Sequence, residues 1–219
     1  MLDHKGWLGY QWWARWAALL IASMVALAPQ PAHAHQPFFE EPDTTSATPW
    51  VIADPTVSLA LYFTLSTPTD VDYVVFDGRA SQSLLLSMTI PQIAGQEDFT
   101  PTLALIGPGL PAASLPKAIV APAGNGALII RAEPGKPVPF FEPFSATAYW
   151  RRQRATVTLP ADGQYIVALW SETGQTGRYT FAPGTREVFG GDREFRNKLS
   201  TYWTPVPTPA HRPSQFCEQ

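Results

Sequence analysis

The sequence predicts an all-β protein, an antiparallel, jelly-roll-like β-sandwich of about eight strands. Short apolar, β-rich runs recur between turn signals, and no long segment repeats at the helical period. The 23 prolines and a charged fraction of only 15% suit a loop-rich extracellular β protein better than a helical enzyme.

The first element is a leader. Residues 16–28 form an uninterrupted apolar run with Lys5 and Arg15 upstream. Pro29 and Pro31 break it, and Ala32-His33-Ala34 places small residues at the −3 and −1 positions of a cleavage site. A bilayer span needs about 20 apolar residues, so 1–34 reads as a secretory signal peptide. The mature chain is then expected to be secreted, periplasmic or at the cell surface, with no stable membrane span after cleavage. The formal charge is −3 for the whole chain, and a negative balance excludes bulk affinity for nucleic acid. The single Cys217 excludes an internal disulfide framework and any Cys-cluster zinc site.

Residues 35–53, rich in Pro, Thr and acids, read as an extended amino-terminal arm. The sandwich is predicted over 54–190, with strands at 57–65, 71–77, 83–90, 103–106, 127–132, 156–159, 165–170 and 178–181. Turn chemistry separates them, at Pro68-Thr69-Asp70, Asp77-Gly78, Gly107-Pro108-Gly109, Gly124-Asn125-Gly126 and Asp162-Gly163. Runs such as Leu84-Leu85-Leu86 need cover on both faces. One helix is predicted at 191–203, where Asp192 can cap and Phe195, Leu199 and Trp203 form an apolar face packed on the sandwich. The tail at 204–219 is punctuated by Pro205, Pro207, Pro209 and Pro213 and reads as extended.

Two segments carry a family resemblance. Asp70-Val71-Asp72-Tyr73-Val74-Val75-Phe76-Asp77-Gly78, followed by 82–90, resembles the opening strands of the bacterial pre-peptidase C-terminal domain. Residues 155–183 are similar to that family's closing hairpin, with Gly163-Gln164-Tyr165 and Gly177-Arg178-Tyr179 at its two Gly-x-Tyr positions. Thr102-Leu103-Ala104-Leu105-Ile106-Gly107 resembles its middle strand. The chain departs from the pattern in a long 110–154 segment and in acids displaced to Glu97-Asp98. The resemblance implies a jelly-roll-like sandwich on a secreted protein, acting as an accessory or binding module without catalysis of its own.

The chemistry-bearing residues are sparse. In the mature chain only His35 and His211 remain, and there is no G-x-S-x-G elbow or H-E-x-x-H pair. A catalytic set is therefore not expected, nor is a required cofactor. Calcium is the first metal that the ligand types allow, at strand-entry turns bearing Asp70 and Asp72 and bearing Glu97 and Asp98. Copper is the second, because a chain starting at His35 offers an α-amine and an imidazole nitrogen. Aromatic and arginine residues gather in the long insertion, with Phe140, Phe141, Tyr149, Trp150, Arg151 and Arg152 as a candidate binding surface for a cell-surface polymer or a partner protein.

Overall fold

Tyr179 and Phe181 point to one side of their strand and Thr180 and Ala182 to the other, and this alternation organises the molecule. The computed structural model describes residues 35–132 and 137–206; the expected leader at 1–34, and Cys217 in the tail, lie outside the described residues. The strands are β1 (Gln36–Phe39), β2 (Trp50–Ile52), β3 (Leu59–Leu65), β4 (Val71–Gly78), β5 (Ser83–Pro91) and β6 (Thr102–Pro108). They continue with β7 (Asn125–Ile130), β8 (Val138–Glu142), β9 (Thr147–Thr158), β10 (Gly163–Trp170) and β11 (Gly177–Pro183), and then the helix α1 (Phe195–Tyr202). A six-stranded sheet runs β1-β3-β11-β5-β9-β8 and a five-stranded sheet runs β2-β4-β10-β6-β7. The fold is the all-β sandwich that the alternation and turn signals predict.

Two features differ from expectation. The sheets are mixed, because β1 lies parallel to β3 and β2 parallel to β4. Both strands come from the stretch read as an arm, so that stretch supplies an edge strand to each sheet. Their runs of four and three residues are too short to show a period, and pairing with a longer neighbour is what makes them strands.

The core lies between the sheets. Leu61, Phe63, Leu86, Met88, Tyr179 and Phe181 from one sheet meet Val74, Phe76, Leu103, Leu105, Val167 and Leu169 from the other. Each such side chain contributes about 1.5–3 kcal/mol through burial. The five-stranded sheet is also covered outside, where Ile119 and Leu115 of the 109–124 loop pack on Ala104, Ile106, Ala168 and Trp170. That second cover explains why β6 and β10 carry apolar residues on both faces.

Tyr165 pins the end of the sandwich. Its ring stacks on Phe76 at 5.7 Å, and its hydroxyl donates to the Ala161 carbonyl at 2.8 Å. A Cβ at Gly107 would stand 2.2 Å from the Tyr165 ring, so the strand can pass only without a side chain there. Gly107→Ala is expected to destabilise by about 1–3 kcal/mol through overpacking, measured by urea denaturation.

The outer face of the six-stranded sheet carries α1. Phe195, Leu199 and Tyr202 are buried against Phe39, Ala60, Tyr62 and Tyr149. The predicted helical period is present, though the buried stripe closes on Tyr202, with Trp203 partly buried beside it. Asp192 acts just ahead of the helix, accepting the Glu194 amide on its side chain at 2.8 Å and the Phe195 amide on its carbonyl at 3.1 Å. Among the described residues no helix is long and apolar enough to cross a membrane.

Candidate functional site: a groove on the outer sheet face

The helix covers only part of the outer face, and the remainder is a groove of about 130 Å³ open to solvent. Its floor is made of small side chains on the three central strands, Ala60 on β3, Thr180 and Ala182 on β11, and Ser87 and Thr89 on β5. The register sets Thr180 between Tyr62 and Thr89, and Ala182 beside Ser87. Larger residues rise on either side. Tyr149, Arg151 and Arg154 stand on β9, Phe140 on β8 and Phe144 in the turn between them. His35 and Pro37 close the far rim.

A β-bulge in β9 produces this wall. Residues Arg151 and Arg154 are three apart, so strict alternation would put them on opposite faces. The pairing with β5 instead runs Ser87 with Arg154, Met88 with Gln153 and Thr89 with Arg151, and Arg152 is left over as the extra residue. Arg154, Arg151 and Tyr149 therefore share the outer face, while Gln153, Trp150 and Val157 face inward.

Among the described residues the two groove arginines have no anionic partner. The Arg151 guanidinium lies 4.4 Å from the centre of the Phe140 ring, and its Nε is buried with no hydrogen-bond partner among the described residues. Arg154 is exposed, with no ion pair or hydrogen bond to another described residue. The nearby carboxylate, Glu142, is spent on its own turn. It accepts the Phe144 amide at 3.0 Å and the Ser145 amide and hydroxyl at 2.6 and 2.7 Å. The result is two positive groups beside an apolar wall.

The structure divides the aromatic and arginine residues of the insertion into four environments. Phe140, Tyr149 and Arg151 line the groove, and Trp150 packs on the inner core instead. Phe141 is 60% exposed on the opposite side of β8. Arg152 is 8% exposed, donates to the Glu97 carbonyl and faces Asp98, and burial lowers its pKa. It holds the 96–99 loop to the sheet. Phe144 and Arg154, which fall in the same aromatic and basic stretch, also line the groove, as does Tyr62, which the sequence does not single out. Arg154 lies close to Arg151 in the same basic run, and that is its signal in the sequence.

A second polar centre lies where the arm meets the sandwich. Carboxylate oxygens of Glu40, Asp43 and Asp72 lie within 4.8 Å of one another. Asp72 is fully buried, and Tyr179 donates its hydroxyl to Oδ2 at 2.5 Å. Glu40 accepts the Thr44 amide and hydroxyl at 2.9 Å each and the Thr64 amide at 3.1 Å. Burial, then the neighbouring Glu40 charge, pushes the Asp72 pKa up to about 10, and burial raises that of Glu40 as well. Both shifts favour keeping a proton at this pair, whose oxygens lie within 4.8 Å where the end of β1 meets the buried end of β4.

The residues considered for metals are distributed differently from the expected pairing of two acidic turns. Asp70 accepts the Ser66 amide and hydroxyl at 2.6 and 2.8 Å, and Asp72 sits with Glu40 and Asp43. Glu97 and Asp98 are in the separate loop held by Arg152, where Glu97 accepts the Gly95 amide at 2.9 Å. His35 turns its Nδ1 to the Ser58 hydroxyl at the groove rim.

No family model matches the sequence, and no curated protein matches it. Among solved structures the chain is similar to the periplasmic inhibitor of g-type lysozyme from Aeromonas hydrophila, at 12% identity and a TM-score of 0.38, over 70% of this chain and all of that one. It is also similar to the pre-peptidase C-terminal domain of the collagenase from Bacillus anthracis, at 9% identity and a TM-score of 0.34, over 66% of this chain and 98% of that one. The domain that the sequence segments resemble is thus among its structural neighbours.

Proposed function

We propose that this protein is a secreted, non-catalytic binding module whose ligand-contacting surface is the groove on the six-stranded sheet. The observation that carries the reading is the pair Arg151 and Arg154, ion-paired with no carboxylate among the described residues and set beside an apolar wall. Unpaired guanidinium groups at a concave site suit an anionic group on a ligand. The extracellular setting rests on the leader sequence. The ligand belongs to a cell-surface polymer or a partner protein.

The test uses two changes that leave the core untouched, Ala182→Trp to fill the groove floor and Arg154→Ala to remove an exposed charge. Arg154→Ala is expected to melt within about 2 °C of wild type, since surface changes cost within about 0.5 kcal/mol, whereas Ala182→Trp, at a half-buried position, is expected to stay folded at a cost of about 1–3 kcal/mol. Both are expected to lose most retention on envelope preparations of the source cells. Equal retention of all three proteins would sink the reading.

A second reading, metal binding, attaches to Glu40, Asp43 and Asp72, because three carboxylates close together can hold a hard cation such as calcium. Copper at His35 would have to use the α-amine and the imidazole face not engaged by Ser58. Calcium and copper additions to the purified mature protein, read as melting temperature, test both ions.

A further inference from the structure

Resting on the groove as the ligand site, we infer that its ligand is an acidic peptide segment of a partner protein, presenting one Asp or Glu side chain beside an apolar one. Three observations lead there. The first is charge complementarity. Arg151 and Arg154 share one face because of the bulge at Arg152, and Glu142 is tied down by Phe144 and Ser145. A carboxylate entering the groove therefore meets two guanidinium groups that are ion-paired with no acid among the described residues, although Glu142 also lines the groove.

The second is the lining. A sugar ring needs polar partners for several hydroxyls, and the floor offers only the small hydroxyls of Ser87, Thr89 and Thr180, of which Ser87 already donates to the Gln153 carbonyl. Beside them Phe140, Phe144, Leu85 and Ala182 supply the apolar part of the lining. That mixture suits a carboxylate carried next to an aliphatic or aromatic side chain, and arginine with aromatic rings is what protein interfaces use as anchors.

The third is continuity with further apolar surface. The edge strand β8, which contributes Phe140 to the groove, also exposes Val138, at 60%, on the same side as Phe140. A peptide seated in the groove would have apolar surface to run onto at this edge, whereas a nucleic acid would need many more cations than two.

The experiment titrates the mature protein with blocked hexapeptides containing one Glu flanked by Leu or Phe, the matching Glu→Gln peptides, and galacturonate oligomers, followed by NMR. Glu peptides are expected to shift amide signals of β5, β9 and β11, and the Gln peptides to bind about tenfold more weakly or worse. Arg151→Ala with Arg154→Ala should bring Glu peptides down to the Gln level, while melting shows the variant folded. Equal binding of Glu and Gln peptides would overturn the inference. Arginine-dependent binding of galacturonate without the peptides would overturn the ligand class and leave the groove as the site. Shifts from no probe would overturn the inference, and the envelope-retention result would then decide the groove separately.

Discussion

Melting temperature is expected to fall as pH rises from about 5 to 9, and Asp72→Asn is expected to remove most of that fall. The folded pKa of Asp72 is pushed up to about 10, whereas an unfolded aspartate titrates near 3.9. Between these values the unfolded chain has released a proton that the folded protein keeps. Stability from Asp72 is thus fully present below about pH 4 and is lost progressively until the folded group ionises near 10. The slope is about 1.4 kcal/mol per pH unit for one proton, or roughly 3–6 °C per unit at this chain length. Glu40 is shifted in the same direction. Asp54, which is exposed, and Asp192, which is half-buried, are shifted downward and act in the opposite sense, with losses confined to acid pH.

Asparagine in place of Asp72 can still accept from Tyr179 and donate to Glu40 without a proton to lose. The variant should therefore equal or fall below wild type at pH 5 and exceed it at pH 8. A wild-type melting temperature flat across this range would sink the retained-proton reading. Calcium distinguishes the alternative. A cation has to displace the proton, so its stabilisation should grow with pH. No calcium effect at pH 8 would remove that metal from the cluster.

The second large effect is expected at Tyr202. Its hydroxyl shares a proton between the Phe63 and Tyr179 carbonyls at 3.0 and 2.5 Å, and its ring meets Tyr62 edge-on at 5.1 Å. Replacing Tyr202 by Ala removes a buried aromatic from the helix–sheet contact and should cost about 3–5 kcal/mol, a drop of roughly 6–20 °C. Tyr202→Phe keeps the ring and loses the hydroxyl, for about 1–2 kcal/mol. The helix also buttresses the groove, because Phe195 stacks on Phe144 at 5.4 Å. Hydrogen exchange in Tyr202→Ala should therefore speed up in α1 and in the 143–146 turn, with β4 and β10 unchanged. Protection of the turn at wild-type level would separate the helix from the groove.

Much of the fold was legible because its signals are local. Turn residues such as Asp77-Gly78 and Asp162-Gly163 end strands by backbone preference, and alternation at Tyr179-Thr180-Phe181 marks a two-faced sheet. The helix was legible from Phe195 and Leu199 on one stripe. The strands β1, β2 and β8 were not, since each is too short or too Pro-rich for its own period and owes its form to a neighbour. Aromatic and arginine residues pointed to the 140–154 region as a binding surface, but not to which of them lie together.

Sequence alone therefore determined the all-β class, the turn positions, the apolar core and the basic, aromatic character of the insertion, because each depends on composition and spacing within a few residues. Only the tertiary structure decided the faces. Parity along β9 would set Arg151 with Trp150's opposite neighbours and send Arg154 to the other side; one residue of bulge at Arg152, stabilised by the Glu97 carbonyl on a distant loop, reverses that. Tertiary pairing likewise brought Glu40 from the arm to Asp72, 32 positions along the chain. Such contacts carry no local period. They arise where packing of Trp150 into the core and burial of Asp72 outweigh the preference of the strand for simple alternation.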